Sequence, residues 1–136
     1  MKNLENLEKF INSELTSKIN NSFIKHDSIY LNIDYDEIIE VITFLKNNNE
    51  TKFRQLIEIT AVDYPERENR FKIVYLLLSH EYNKRVIIDY SIKEKDEILS
   101  LTSVFPSANW MEREVFDMYG IKFKNHPDLR RILTDY

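Results

Sequence analysis

The first regular feature of the chain is an apolar side chain at every third or fourth position near the N-terminus. These residues are Leu4, Leu7, Ile11 and Leu15, and charged residues lie between them. Because side chains at this spacing share one side of a helix, the pattern predicts an amphipathic helix over residues 3–19. The following stretch, residues 20–27, shows no period and is expected to be a loop.

The period changes to two from Ser28 to Tyr35, where apolar and polar residues alternate. Alternation of this kind predicts a half-buried strand. A second helix is expected next, with Asp34 or Asp36 accepting hydrogen bonds from its first free backbone amides. The inner face of this helix consists of Ile38, Val41, Ile42 and Leu45. The helix is expected to end in the asparagine run that begins at Asn47.

Three runs rich in β-branched and aromatic residues follow, and they predict three strands. Their approximate limits are Phe53–Val62, Arg70–Ser79 and Arg85–Ile92. The middle run is apolar on both alternate sets of positions, so we expect it to be covered on both sides or to lie at the sheet centre. The short connections at 65–69 and 80–84 predict antiparallel hairpins, the second with Asn83 in its turn.

Helical spacing returns after Lys95, and two further helices are expected. The first has its apolar residues at Ile98, Leu101, Val104 and Phe105 and ends against Pro106. The second spans residues 110–119. Its predicted N-cap is Asn109, with Glu112 completing a capping box, and Gly120 is expected to close it in the left-handed conformation.

The resulting order of elements, α-β-α-β-β-β-α-α, predicts an α+β fold. We expect a two-layer domain in which helices pack mainly on one face of a largely antiparallel or mixed sheet. The predicted domain covers residues 1–120. Residues 121–136 are expected to form an extended C-terminal segment.

Composition excludes several classes of site. The chain has no cysteine, which excludes disulfides, thiolate zinc sites and all-cysteine iron–sulfur ligation. Its one glycine, Gly120, is too few for a phosphate-binding loop. A net charge of −4 disfavours nucleic acid as a partner. The longest apolar run, Ile73–Leu78, is far shorter than the roughly 20 residues that span a bilayer.

The side chains best suited to chemistry lie in the last third of the chain. Glu114 and Asp117 are three positions apart, so on a helix they share a face and could form an acid–base pair or bind a hard metal ion. Helix polarity is the simpler interpretation. Acidic residues favour a first helical turn, and Arg113 with Asp117 forms an i,i+4 pair.

Three further polar residues have more than one interpretation. His126 could be a general base or a metal ligand, but it precedes Pro127 and has no cysteine or nearby histidine to complete a site. Arg130 and Arg131 carry guanidinium groups suited to carboxylates on a partner or within the domain. Residue chemistry alone therefore predicts an interaction module.

The stretch from Trp110 to Tyr136 strongly resembles the signature of the C subunit of bacterial NADH:quinone oxidoreductase, equivalent to subunit 9 of mitochondrial complex I. The matching blocks are Glu112-Arg113-Glu114, Asp117–Ile121, Phe123 and His126–Tyr136. Shorter matches upstream are Ala61–Pro65, Arg70-Phe71 and Val104–Ala108. The resemblance covers residues 53–136, and the chain before it matches only in the order of its elements.

The resemblance implies a cofactor-free subunit of the peripheral arm of respiratory complex I, docked on the large quinone-site subunit. Flavin and iron–sulfur clusters are expected in partner subunits. No catalytic, cofactor-binding or metal-binding residue is implied in this chain. The complex carries electrons from NADH to quinone coupled to proton translocation, and the isolated chain is expected to be non-catalytic.

The resemblance also assigns a subunit-interface role to part of the C-terminal third. The residues are Trp110, Glu112, Arg113, Glu114, Asp117, His126, Pro127, Asp128, Arg130 and Arg131. Similar proteins continue beyond the matching Thr-Asp-Tyr with a glycine-rich, basic tail. A split or truncated gene, a tail supplied by another chain, and a contact that dispenses with it are the open explanations.

The expected location follows from composition and the N-terminus. Abundant Asn, Ile and Lys are typical of an AT-rich genome, and the sequence lacks the features of a signal peptide or import presequence. We therefore expect an organelle-encoded protein on the matrix side of the mitochondrial inner membrane. The cytoplasmic face of a bacterial inner membrane is the alternative.

Two other functions stay open at this point. One is an acid–base or metal-dependent hydrolase built on Glu112, Glu114, Asp117 and His126, which would bind a divalent metal or be active as a purified chain. The other is a small module that binds an anionic ligand through its paired arginines, with an affinity that falls steeply with salt.

Overall fold

The structure is a computed structural model, and it describes residues 3–127. The helices are α1 (Leu4–Glu14), α2 (Ile38–Asn47) and α3 (Ala108–Tyr119), with a short 3₁₀ helix at Tyr35–Glu37. The strands are β1 (Ile19–Lys25), β2 (Ser28–Ile33), β3 (Gln55–Asp63), β4 (Phe71–Ser79), β5 (Lys84–Ile92), β6 (Ile98–Leu99) and β7 (Phe123–Lys124). No helix within residues 3–127 is both long and apolar enough to cross a bilayer.

Five of the described strands form one mixed sheet in the order β1-β2-β5-β4-β3. The pairs β1–β2, β5–β4 and β4–β3 are antiparallel, whereas β2 and β5 are parallel, with Leu31 opposite Ile88. The predicted hairpins are confirmed, and Asn83 has the positive φ of 51° that a tight turn requires. The short strands β6 and β7 pair in parallel beside this sheet.

The core lies on one face of the sheet, under the helices. Alternate residues of β4 and β5 are buried there in one cluster with the inner faces of α1 and α2. On β4 these residues are Phe71, Ile73, Tyr75 and Leu77. The opposite side chains of β4 are half-buried, so β4 is an interior strand that is fully covered on one face. The predicted two-layer α+β fold is confirmed.

Residues 19–25 form a strand, so the prediction of a loop at 20–27 was wrong. β1 is an edge strand in which the polar Ser22 is half-buried and the apolar Phe23 is exposed, and its pairing is irregular between Ile19 and Asn21. Its burial therefore does not follow a simple alternation of polar and apolar residues. His26 and Asp27 both have positive φ, 51° and 59°, as in a two-residue type I′ turn. The first helix is correspondingly shorter than predicted and ends at Glu14.

The helix predicted after Lys95 does not form. Ile98 and Leu101 are buried as the pattern indicated, but the backbone of this stretch bonds to residues 122 and 124. The Ile98 amide donates to the Lys122 carbonyl at 3.1 Å, and the Ser100 amide donates to the Lys124 carbonyl at 3.0 Å. A ladder between distant segments therefore replaces the local helical hydrogen bonds.

Predictions about helix ends had mixed outcomes. Gly120 adopts the predicted left-handed conformation, with φ 73°. The α3 N-cap is Ser107, so the prediction of Asn109 was wrong, and neither Asp34 nor Asp36 caps α2 with its side chain. The division into a domain (1–120) and a docking segment (121–136) stays a prediction. The first part of that segment adds β7 to the domain.

The largest buried side chains meet in a tyrosine pair at the centre of the sheet. The hydroxyls of Tyr75 and Tyr90 lie 2.6 Å apart, and both side chains are fully buried. Desolvation by burial raises the pKa of both phenols well above the ordinary value. Each hydroxyl therefore stays protonated and is the other's hydrogen-bond partner.

Removing both hydroxyls should cost clearly less than the two single removals added together, because the two hydroxyls share one hydrogen bond. We expect Tyr75→Phe or Tyr90→Phe alone to lower the free energy of unfolding by about 1–3 kcal/mol, because a buried hydroxyl loses its partner. The double variant should lose clearly less than the sum of the two. Urea denaturation of the four proteins measures this, and additive losses would contradict the pairing.

Candidate interaction surface

Helix α3 is the element that carries half of the predicted interface residues. It packs beside β3 at one edge of the sheet, and its inner side buries Ala108, Glu112 and Val115. Its opposite side holds Trp110, which is 51% exposed, and Met118, which is 74% exposed. The helix thus presents two large apolar side chains to solvent.

Glu112 fixes this helix to the preceding turn. Its carboxylate is fully buried, and it accepts hydrogen bonds from the Ser100 hydroxyl at 2.6 Å and the Leu101 amide at 2.7 Å. Desolvation by burial raises the pKa of Glu112 to about 7, against the opposing effect of these two donors. Its predicted interface role stays a prediction, and any such role acts through the helix that Glu112 holds.

His126 joins the end of the described chain to the same helix. Its buried side chain places Nε2 3.0 Å from the Asn109 carbonyl oxygen and 3.8 Å from the Glu112 carboxylate. The structure therefore brings Glu112 and His126 together, as the hydrolase hypothesis requires. Both oxygens of Glu112, however, already accept bonds from the domain itself.

The remaining predicted residues are divided between the exposed face of α3 and the chain end. Arg113 lies over the Trp110 ring at 5.1 Å, Glu114 is exposed and Asp117 is half-buried. Pro127 is exposed at the end of the described region. Asp128, Arg130 and Arg131 lie outside the described residues. Within residues 3–127 no group of three or more His, Asp or Glu side chains could hold a metal ion.

An apolar groove lies between α3 and β3, and the sequence analysis did not predict it. It has a volume of about 630 Å³ and is lined on one side by the consecutive β3 residues 57–61. Its other wall includes Trp110, Met118 and Glu114. The adjacent apolar pair Leu56-Ile57 breaks the alternation of the strand. This break is the one feature of the sequence that could have indicated the groove. It corresponds to a bulge in the β3–β4 ladder.

A second concavity, of about 550 Å³, lies where the parallel strands β2 and β5 end. Its lining is polar and includes Asp34, Asp36 and Asp96 with one lysine, Lys93. The carboxyl ends of parallel strands are common places for ligands. This excess of negative charge is unfavourable for an anionic ligand.

Two of the upstream matching blocks, Ala61–Pro65 and Arg70-Phe71, are joined by an ion pair. The Arg70 guanidinium donates to both oxygens of Asp63, at 2.7 and 2.9 Å. This bidentate pair joins the ends of β3 and β4, and the hydrogen bonds from Arg70 lower the pKa of the Asp63 carboxyl. The pair therefore holds together the ends of the β3–β4 hairpin, whose strand β3 forms one side of the groove.

Titration of Glu112 should make stability depend on pH. Its pKa is about 7 in the folded chain against an ordinary 4.5, so the native state binds more protons between these values. Stability should therefore fall as pH rises through this window, by up to roughly 3 kcal/mol. Glu112→Gln does not titrate and should remove this pH dependence. Its amide oxygen can still accept from the Leu101 amide, and its amide N–H can donate to the Ser100 hydroxyl.

The measurement is urea denaturation from pH 4.5 to 8 for the wild type, Glu112→Gln and the exposed control Glu114→Gln. The control should follow the wild type. Equal pH slopes in the wild type and Glu112→Gln would contradict the assignment.

Comparison with known proteins places the chain in a family. The family described as "Respiratory-chain NADH dehydrogenase, 30 Kd subunit" matches residues 31–136. The C subunit of NADH-quinone oxidoreductase from Chelativorans is 42% identical over 133 residues, which cover 98% of this chain and 66% of that protein. The protein named NADH dehydrogenase [ubiquinone] iron-sulfur protein 3 from Beta trigyna is 53% identical over 105 residues, 77% of this chain and 54% of that one.

Solved structures agree with the fold. A trypsin-resistant fragment (1-134) of Nqo5 superposes with a TM-score of 0.76 at 26% identity, covering 93% of this chain and 98% of the fragment. A chain of the archaeal membrane-bound sulfane sulfur reductase has a TM-score of 0.79 at 23% identity, covering 90% of this chain and 71% of that one. This chain spans between about half and two thirds of the length of the two curated relatives. It belongs to the 30 kDa subunit family of respiratory-chain NADH dehydrogenases.

Proposed function

We propose that this chain is a cofactor-free peripheral-arm subunit of respiratory complex I that scaffolds the large quinone-site subunit. In this role it supports electron transfer from NADH to quinone, coupled to proton translocation, and catalyses no step itself. The observation that carries the proposal is the family match over residues 31–136. It coincides with an exposed apolar surface on α3 inside the matched region.

The chemistry of the chain supports a scaffolding role. An iron–sulfur cluster with four cysteine ligands cannot be built from a chain without cysteine. Both oxygens of the buried Glu112 carboxylate already accept hydrogen bonds, from the Ser100 hydroxyl and the Leu101 amide. Flavin and iron–sulfur clusters are therefore assigned to partner subunits, including any cluster that the name of the Beta trigyna relative suggests.

The α3 surface supports docking on another protein. Large exposed side chains such as Trp110 and Met118 lose contact with water when a partner covers them, and aromatic residues and methionine are enriched at the centres of protein interfaces. The partner proposed for this surface is the quinone-site subunit. Residues of the predicted interface set that lie beyond Pro127 would extend the same contact.

The proposed location follows from membership in a respiratory membrane complex. Relatives come from bacteria and from a plant. The chain is proposed to lie peripherally on the matrix side of the mitochondrial inner membrane. The equivalent position in a bacterium is the cytoplasmic face of the inner membrane.

Charge reversal at the paired arginines tests the docking role. Arg130→Glu with Arg131→Glu should reduce the amount of chain in the assembled complex by about tenfold, because charge-assisted bonds to partner carboxylates become repulsions. The melting temperature of the isolated chain should stay nearly unchanged. The matched control, Lys25→Glu with Lys95→Glu, should assemble normally.

The readout is a native gel of gently solubilised membranes from cells that carry a tagged chain. We expect the wild-type tag to comigrate with NADH-dehydrogenase activity in a very large complex. A wild-type chain that runs alone or in a small oligomer would overturn the proposed function. Equal loss of folding and assembly in the arginine variant would overturn the interface role of these residues.

A further inference from the structure

The strongest unexplained feature of the molecule is the free edge of its sheet at β3. This strand has nine residues, and within the described part of the chain it pairs only with β4. Among the described residues, no backbone hydrogen bond outside the β3–β4 ladder involves residues 55–63. About half of the amides and carbonyls of an edge strand point away from the sheet and are available to another strand.

Exposed apolar side chains are concentrated beside this edge. The large exposed apolar residues of the described chain are Phe23, Ile57, Val62, Trp110 and Met118. Four of these five belong to β3 or to α3, which packs against β3. The opposite edge strand, β1, holds only Phe23, and that ring stacks on Tyr30 at 4.7 Å. One edge of the sheet is therefore apolar and the other mostly polar.

The groove between β3 and α3 has the form needed for an added strand. A further strand would lie about 4.8 Å from β3, in the space that α3 closes from the side. Its inward side chains would meet Trp110 and Met118 across the groove. The bulge at Ile57 turns an apolar side chain outward to 37% exposure, and the ladder beyond it is regular from Glu58 to Asp63.

The charge of the groove lining indicates which kind of added strand could bind there. The groove lining includes two carboxylates, Glu58 and Glu114, and no lysine or arginine. Arg113 lies next to the groove, over the Trp110 ring. An added segment with a lysine or arginine would neutralise the lining carboxylates, whereas an acidic segment would be repelled.

We propose that β3 is an acceptor edge, to which another subunit adds an extended strand that carries apolar residues against Trp110 and Met118 and basic residues near Glu58 and Glu114. This inference rests on the proposed function, because it specifies how a partner subunit docks on the α3 side. The backbone ladder supplies much of the affinity in such an arrangement, and the alternate side chains supply specificity.

Hydrogen exchange in the intact complex tests the ladder directly. In the isolated chain, the β3 amides that do not bond to β4 should exchange rapidly. In the assembled complex these amides should exchange at least about tenfold more slowly, because they now donate to the added strand. The edge strand β1 is the internal reference and should change less than β3.

The outcomes separate the two proposals. Protection of residues 108–119 without any change in 55–63 would overturn strand addition, while a partner on α3 would still support the proposed function. A chain that enters no complex would overturn both. Slower exchange in both edge strands to the same extent would also overturn the assignment, because it would indicate a general loss of solvent access.

A charge variant tests the chemistry of the added strand. Glu58→Lys should reduce incorporation into the complex by about fivefold, since it places a cation opposite the basic residues of the partner. Glu97→Lys makes the same charge change at another exposed position and should leave incorporation unchanged. Thermal melting of both isolated chains should match the wild type. Equal incorporation of the two variants would overturn the basic character of the partner strand.

Discussion

The hydrogen bonds of Glu112 hold α3 in the position on which the proposed docking surface depends. The carboxylate lies inside the domain and binds a hydroxyl and a backbone amide of the turn at 100–102. Burying a carboxyl is unfavourable unless its oxygens find donors, so the helix and the turn are fixed relative to each other. His126, from the stretch that follows β7, adds a bond to the first turn of α3. Contacts from the turn before α3 and from His126 after it thereby orient the exposed Trp110 and Met118.

The mixed sheet explains why most of the exposed apolar side chains in residues 3–127 lie at one of its edges. The parallel pairing of β2 with β5 places the first hairpin at one edge and the second, β3–β4, at the other. The first edge is polar and ends in a tight turn. The other carries α3, exposed apolar side chains and two carboxylates. Helix α3 therefore lies beside the less protected edge strand.

The sequence predicted those helices and strands whose buried residues follow a local pattern. Helix α2 follows its apolar spacing, and the strands β3 to β5 follow their enrichment in β-branched and aromatic residues, because one face of each is buried in the core. Helix α3 was predicted from the signals at its ends, of which Gly120 was right and Asn109 was wrong. Residues 98–105 show the limit of the method, since their helical spacing is overridden by backbone bonds to Lys122 and Lys124. Glu112 was predicted to complete a capping box, and its actual partners, Ser100 and Leu101, could not be identified without knowing how the turn folds back. Predicting the groove would have required the position of α3 relative to a sheet edge, and no local sequence pattern gives that position.

The claim that the α3 side faces the rest of the respiratory complex can be tested most directly by site-specific photo-crosslinking. A photoreactive phenylalanine analogue would replace Met118 in one strain and Phe23, at the opposite sheet edge, in another. We predict that position 118 crosslinks to another subunit of the NADH dehydrogenase in intact membranes and that position 23 gives much less product. Crosslinks to that complex from position 23 alone would contradict the assignment of the docking side.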